Sequence, residues 1–378
     1  MTAPLEGLKV VELARVLAGP LIGQTLADLG AEVIKIESPE GDETRSWGTD
    51  VIERGSDLSA TYYFCCNRGK KSITANLKDD SDLDAVKGLV AEADIFVENF
   101  KVGGLEKFGL DYATLHSRHP RLIYASVTGF GQTGPYAKHA GYDLLIQGMS
   151  GLMDITGQPD GPPEKLGIAI ADLMTALYGV IGIQAALRER ETSGRGQHID
   201  LSLFDTMVAM LTNQASSCLA TGISPQRMGS THPSIVPYQL FDVSDGQLLI
   251  ACGNNNLFRK LCRVLGNEAW ADDPRFIDNA ARLAHREIIV GLLSKAMERW
   301  TRDALIAALV EVAVPAAPIN TVAQALDDPQ IEARGLKIAP EGIAALRTPL
   351  VFSRSTLSLD RAAPTLGQHN ADVLPERG

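Results

Sequence analysis

One repeated alternation constrains this chain more than any other feature. Over the first two hundred residues, short runs that are apolar along their length are separated by helical segments. The runs "LKVVELA" (8–14), "AEVIKIES" (31–38), "KSITANL" (71–77), "DIFVENF" (94–100), "RLIYASVTGF" (121–130) and "QHIDLSLFD" (197–205) read as strands. The intervening "PLIGQTLADLG" (20–30), "DDSDLDAVKGLVAEA" (79–93), a stretch from about Gly104 to Arg118, and a long segment beginning near Asp172 read as helices. Strands that are apolar on both faces must be covered on both faces, and helices between them supply that cover. The expectation is an α/β fold with a Rossmann-like parallel sheet in a large domain over 1–224.

The pattern changes after Gly222. "VSDG" (243–246) reads as a hairpin turn, helices follow to about Val312, and "VPAAPIN" (314–320) reads as a Pro-rich connector. A short helix over "TVAQALDDPQIEARG" and strands ending in "LGQHNADVL" close the chain. These segments predict a smaller α+β domain over 225–320 and a C-terminal segment, 321–378, that returns to the large domain. With 378 residues, 45% of them hydrophobic, the chain can bury two cores.

Net charge is −11. An acidic surface argues against nucleic acid or an anionic membrane as the main partner, though a local basic site can still take an anionic small molecule. The five cysteines, Cys65, Cys66, Cys218, Cys252 and Cys262, are odd in number and lack C-x-x-C spacing, as in reduced intracellular proteins. "MTAPLEGLKV" has no export-signal pattern, so a cytoplasmic location is expected. The apolar segment from Leu166 to Leu187 is interrupted by Asp172 and reads as a buried helix rather than a membrane span. The seven histidines show no metal-ligand spacing, so no metal is expected.

Gly129, Gly131 and Gly134 form a G-x-G-x-x-G, but they follow the fifth strand and "PYAKHAGYD" after them has no helical period. Without a strand–turn–helix context the pattern does not indicate a dinucleotide; positive-φ turns are the simpler reading. Asp172 is more informative. An Asp opening an apolar helix is normally a cap. The same position gives an ionised carboxylate in a desolvated setting, which can be a nucleophile. Physical chemistry alone leaves both readings open.

Many ordered stretches, including "LEGLKVVEL" with "LAGP", "LGAEVIKIESPEGDETR", "NRGKKSITANLK", "PRLIYASVTGFGQTGP", "AGYDLLIQGMSGLMDITG", "GIAIADLMTALYG", "ERETSGRGQHIDLSLFD" and "VPAAPINTVAQALDDPQIEARG", resemble the formyl-CoA transferase family, also called the CaiB–BaiF or class III CoA transferases. The resemblance implies that Asp172 is the nucleophile, passing through an aspartyl–acyl anhydride and an aspartyl-CoA thioester. Arg15, Ala18, Lys71, Ala75, Lys78, Asn99, Phe100, Lys107 and Phe108 match positions that bind CoA. Leu17 stands where formyl-CoA transferases carry a glutamine, a departure that counts against oxalate-type chemistry. Ser38 replaces a basic residue of some relatives, with Arg45 as the candidate to compensate. Tyr142 and Asp143 match the catalytic "AGYD". Tyr142 occupies the place of a racemase histidine, and a phenol is a poor base at neutral pH. Tyr62 and the "MGSTHPS" loop, with Gly229 and His232, are expected to line the substrate pocket. The resemblance thus implies transfer of CoA from a donor such as succinyl-CoA to a small carboxylate or dicarboxylate. A 2-methylacyl-CoA racemase is the alternative, and a non-catalytic CoA-sensing module the reading from another class. No tightly bound cofactor, an acyl-CoA and a free carboxylic acid as partners, and an interlocked homodimer are implied with it.

Overall fold

The structure is a computed structural model and describes residues 2–374. It divides into two compact units. One contains the described residues of Met1–Met153, Lys165–Ser224 and Gln330–Gly378; the other contains Asp154–Glu164 and Pro225–Pro329. The excursion at Asp154–Glu164 belongs with the second unit, although it lies far upstream of Pro225 in sequence.

The first unit is built on six parallel strands, β1 (Lys9–Leu13), β2 (Glu32–Glu37), β3 (Lys71–Thr74), β4 (Ile95–Glu98), β5 (Ile123–Thr128) and β6 (His198–Ser202). Their spatial order is β3-β2-β1-β4-β5-β6. Chain direction across the sheet reverses between β1 and β4, which leaves a crevice beyond the carboxyl ends of those two strands. Each of the six apolar runs supplied one strand, a few residues shorter than read. The cover comes from α1 (Ala18–Asp28), α2 (Asp80–Ala91), α3 (Tyr112–Arg118), α4 (Asp143–Met149) and α5 (Ile170–Ser193).

The helix expected over 104–118 is halved. Gly103 and Gly109 take φ values of +78° and +64°, which end any right-handed helix. Only a 3₁₀ turn, Glu106–Phe108, forms before Asp111 caps α3 by accepting from Thr114 N. The long apolar helix α5 is buried on one stripe, Ala171, Thr175, Ala176, Gly179, Ile183, Ala186 and Arg190. A Cβ at Gly179 would collide with Ile22 of α1, so the two helices cross at close range. Its other face is apolar and open: Leu177 is 47%, Tyr178 43% and Ile181 61% exposed. The expectation of a buried helix therefore holds for one face only.

In the second unit, strands β7 (Tyr238–Val243) and β8 (Gly246–Ala251) form the expected hairpin. The Pro-rich "connector" proves to carry a third strand, β9 (Ala316–Pro318), antiparallel to β8. As an edge strand it tolerates proline, which has no N–H to donate. Helices over Asn255–Val264, Arg286–Met297 and Arg302–Glu311 pack on this sheet around Phe241, Leu248, Phe258 and Leu293.

The strands expected at the chain's end are mostly absent among the described residues. After a short ladder pairing Lys337–Ile338 with Ala345–Leu346, the chain is irregular and "LGQHNADVL" ends in a helical turn, Asn370–Val373. This turn serves the sheet in another way. Ser72 N donates to His369 Nδ1, Thr74 N donates to Asn370 Oδ1, and His369 N donates to Ser72 O. The side chains and backbone of the tail thereby close the open edge of β3.

Beneath the crevice lies a buried charge network. Lys35 Nζ, on β2, is 3.3 Å from Glu12 Oε1 and 2.9 Å from Asp42 Oδ2, and donates to Ala14 O at 2.7 Å. Lys70 Nζ meets Glu12 Oε2 at 2.7 Å and donates to Pro20 O and Asn67 Oδ1. Burial works against the Lys35 charge, but Glu12, Asp42 and Glu37 outweigh it and raise its pKa. Gly23 of α1 makes room, since a Cβ there would strike the Glu12 carboxylate. Removing one partner of such a network strands the others. Lys35→Met is expected to cost about 3–5 kcal/mol in urea unfolding; a loss below about 1 kcal/mol would show that the network does not carry this region.

Candidate active site

The cleft lies where β1 and β4 diverge. The segment leaving β1, Arg15–Ala18, forms one wall together with Asn99–Val102 beyond β4. The other wall is Val127–Gly129, Gly141–Asp143 and Asp172. Val16 has φ +71°, a left-handed conformation that a β-branched residue adopts only when held. Four contacts hold it. Asn99 Oδ1 accepts from Arg15 N at 3.1 Å and Asn99 Nδ2 donates to Arg15 O at 2.7 Å. Asp42 Oδ1 accepts from Val16 N at 3.4 Å, and the Cys66 thiol donates to Val16 O at 3.5 Å. Asp42 is in turn fixed by Lys35, so the buried network reaches the cleft wall.

The opposite wall is shaped by glycine. Gly131 and Gly134 have φ values of +83° and +93°, as the turn reading of the G-x-G-x-x-G expects. Gly129 is required for a different reason: a Cβ there would collide with the backbone of Gly141, and the reverse is also true. The crossing of these two backbones brings "AGYD" to the cleft. Tyr142, 60% exposed, precedes α4, and Asp143 is its first residue.

Asp172 lies in the first turn of α5 but is not its cap. The helix begins at Ile170, and the N-cap residue, Ala169, offers no side-chain bond. The cap comes from another helix. Asp143 Oδ1 accepts from Ala171 N at 2.8 Å, and its Oδ2 accepts from Gln147 Nε2 at 2.7 Å. Buried Gln147 also donates to Ile168 O and accepts from Leu166 N, stapling the approach to α5 onto α4. Both Asp143 oxygens are thus engaged, while the Asp172 carboxylate takes no hydrogen bond among the described residues.

This division has an electrostatic consequence. Burial first, and the Asp143 charge second, push the Asp172 carboxyl up to about 7. The expectation that the helix terminus keeps Asp172 well ionised is corrected here: a helix dipole contributes about 0.3–1 kcal/mol, less than one pKa unit, 1.36 kcal/mol. Burial and a like charge are the larger effects. Tyr62 is in the same field. Burial, then the charges of Asp172, Cys65, Cys66 and Asp143, push its phenol up to about 12. Its ring packs edge-on against Trp47, 5.3 Å between centroids.

The remaining residues expected at the site are dispersed. Arg15, Leu17, Ala18, Asn99 and Phe100 line the cleft with Tyr142, Asp143 and Asp172. Lys71, Ala75, Lys78, Lys107 and Phe108 do not line it. Lys71 opens β3 and is ion-paired with Glu32, at the sheet end opposite the crevice. Ala75 is buried and donates its N–H to Glu37 O. Lys107 Nζ lies 4.8 Å from the centroid of the Phe108 ring. Ser38 Oγ donates to Gly41 O. Arg45 cannot compensate for it as a free cation, because its guanidinium is buried, bonded twice to Glu37 at 2.8 Å and paired with Asp57. Gly229, with φ +58°, and His232, whose ring lies 5.1 Å from that of Tyr238, belong to the second unit. Sequence reasoning missed Gln147 and Cys66, because neither has a local signal of its role.

Residues 5–370 match the family described as CoA-transferase family III. The chain belongs to CoA-transferase family III. A succinate–glutarate CoA-transferase from Agrobacterium fabrum is 50% identical, over 99% of this chain and 95% of that protein. The human succinyl-CoA:glutarate CoA-transferase is 39% identical, over 99% of this chain and 86% of its own. A crystal structure of a CaiB/BaiF family protein from Brucella suis has a TM-score of 0.90 and 55% identity, covering 99% of both chains. This member of CoA-transferase family III is therefore a CoA-transferase whose substrates are an acyl-CoA and a carboxylate. The racemase alternative finds no support among these relatives, which are CoA-transferases.

The Asp143–Asp172 pair predicts a pH effect in this transferase. Were Asp172 the nucleophile that the family resemblance implies, it would act as the carboxylate, and transfer should rise with pH through about 7. Asp143→Asn keeps an acceptor for Ala171 N but removes the like charge, so the rising limb should move to lower pH. A kcat profile that stays in place would show that Asp143 does not tune Asp172.

Proposed function

We propose that this chain moves CoA from succinyl-CoA, or a similar donor, to glutarate or another short dicarboxylate, with Asp172 as the covalent carrier. One observation carries the reading. Of the three carboxyl groups that line the cleft, Glu43 is paired with Arg15 and Asp143 is spent on capping α5 and on Gln147, whereas Asp172 is half-buried, raised to about 7 and takes no hydrogen bond among the described residues.

The reaction then proceeds as acyl exchange on one carboxylate. Asp172 attacks the donor thioester carbonyl; the C–S bond breaks, leaving an aspartyl–acyl anhydride and CoA thiolate. The thiolate attacks the aspartyl carbonyl, which forms aspartyl-CoA and releases the donor acid. The acceptor carboxylate attacks aspartyl-CoA, giving a second anhydride and thiolate. Attack of that thiolate on the acceptor carbonyl yields the new acyl-CoA and restores Asp172. The thioester free energy is kept throughout in covalent bonds. Partial burial of Asp172 limits hydrolysis of the intermediates.

The CoA moiety is read along the Arg15–Ala18 and Asn99–Phe100 wall. The first turn of α1 has no acidic residue and no side-chain cap, so its free N–H groups suit phosphate oxygens. Lys101 adds positive charge on a chain that is otherwise acidic, while Arg15 is paired with Glu43 of the same wall at 3.1 Å. Asn99 acts here through the Arg15 backbone, to which its Oδ1 and Nδ2 are both bonded. The test is a panel of free carboxylates against succinyl-CoA, with the CoA esters read by mass spectrometry. Glutaryl-CoA is expected among the strongest products, and Asp172→Asn is expected to lose at least about a thousandfold in kcat while still binding CoA. Transfer retained in that variant removes the assignment.

We further propose that the chain acts as a homodimer. Leu177, Tyr178 and Ile181 on α5, with Leu144, Leu145 and Met149 on α4, are large apolar side chains left exposed on two packed helices, as at an association surface. Light scattering should give the mass of two chains, and Leu177→Lys with Ile181→Lys should reduce it to one. A monomeric wild-type protein would contradict this.

A further inference from the structure

Buried carboxylates in the first unit come with cations, with one exception. Glu12, Asp28, Glu37 and Asp42 are paired with Lys70, Arg68, Arg45 and Lys35. Glu98, the last residue of β4 and 5% exposed, has no ion pair among the described residues. Its partner is the chain's own backbone: Oε2 accepts from Phe100 N, two residues on, at 2.7 Å. Burying a carboxylate without a cation is unfavourable, and an apolar side chain at this strand end would not carry that cost. Stability alone therefore does not account for Glu98.

Its place in the sheet does. Glu98 is in register with Ser126 of β5, and Ser126 with Asp200 of β6. Residues two apart on a strand share a face, so Tyr124 and His198 lie on this side as well. Val97 and Ala125 lie on the other side, in the core shared with α1 and α5. Burial pushes the Glu98 carboxyl up to about 7, against the Ser126 hydroxyl and the Phe100 N–H, which favour its charge. A cavity opens on this side of the sheet, lined by Glu98, Ser126 and His198 and by the loop Lys101–Glu106. Phe100, Lys101 and Val102 line both this cavity and the cleft. The cleft wall is here a partition one loop thick, with open space behind it.

A partition without packing behind it takes its course from hydrogen bonds, and they lie at its two ends. Asn99 holds the Arg15 backbone on the cleft side, while Glu98 holds the next N–H, that of Phe100, from the cavity side. Beyond the partition, Gly104 N donates to Lys101 O at 2.7 Å, in a turn where Gly103 has φ +78°. A Cβ on Gly104 would lie 2.8 Å from that oxygen.

We propose that Glu98 is a positioning residue for acyl-CoA binding: from behind the cleft, its carboxylate holds the Phe100 N–H and sets the course of Asn99–Val102, the wall that meets CoA. Glu98 does not itself line the cleft. A charged acceptor holds an N–H about twice as strongly as a neutral one, so the effect should be graded by the acceptor at this position. The proposal rests on the reading of this wall as the CoA site.

The experiment compares Glu98→Gln, which keeps a neutral acceptor, with Glu98→Met, which fills the space and has none. KM for succinyl-CoA and the calorimetric Kd for CoA should rise in the order wild type, Gln, Met, by about threefold and about tenfold. The kcat should stay within about twofold. Deuterium exchange in the peptide containing Phe100 should quicken in the same order. A purely structural role would lower the active fraction, and with it kcat, at unchanged KM. Unchanged KM in Glu98→Met, or a fall in kcat alone, overturns the proposal. If Glu98→Met does not fold in a urea-unfolding control, Glu98→Gln decides: wild-type Kd and exchange in that variant overturn it. Lys101→Ala separates this proposal from the CoA-site reading. Weaker CoA binding in Lys101→Ala but not in Glu98→Met removes the role of Glu98 alone; undiminished binding in both removes the wall as the CoA site and the role of Glu98 with it.

Discussion

The Lys35 ammonium is the contact on which the cleft depends. It is fully buried on a central strand, between Glu12 of β1 and Asp42 of the loop beyond β2. Asp42 carries the effect outward to Val16, whose left-handed backbone no local sequence preference would choose. Desolvating so many charges is unfavourable by itself and is offset only where every partner is present. The return on that cost is geometric. A parallel sheet supplies a crevice at its switch point by topology alone. A wall with defined shape at that crevice requires loops that cannot relax, and the charge network stiffens the first of them.

The second wall achieves definition through hydrogen bonds. Asp143 and Gln147 tie the start of α5 to α4, so Asp172 is presented on a terminus that is itself anchored. The arrangement separates two carboxyl groups by function. The bonded one spends its charge on a backbone N–H; the unbonded one is left in partial burial with a like charge nearby, and its pKa rises. Divergent environments around paired carboxyl groups are how proteins assign different roles to identical side chains.

The sequence disclosed whatever is periodic or local. Six apolar runs became six strands, the "VSDG" turn became a hairpin, and Asp172 was conspicuous as a charge inside an apolar helix. What stayed hidden depends on contacts between distant residues. Asp143 caps a helix that begins 27 residues later, at Ile170, so the local rule assigned the cap to Asp172 instead. "VPAAPIN" has the composition of a connector, and only pairing with β8 makes part of it a strand. Lys71 matches a CoA-binding stretch by sequence yet faces Glu32 at the far end of the sheet. Neither Cys66 nor Gln147 has a motif; their roles exist only in the partners they reach.

The central claim is that one of two neighbouring carboxyl groups carries CoA covalently. The direct test is to mix the enzyme with succinyl-CoA, omit the acceptor, quench in acid and map the peptides by mass spectrometry. A CoA or succinyl addition is expected on Asp172, and it should disappear when glutarate is added before the quench. An addition on Asp143, or no addition while transfer proceeds normally, would contradict it.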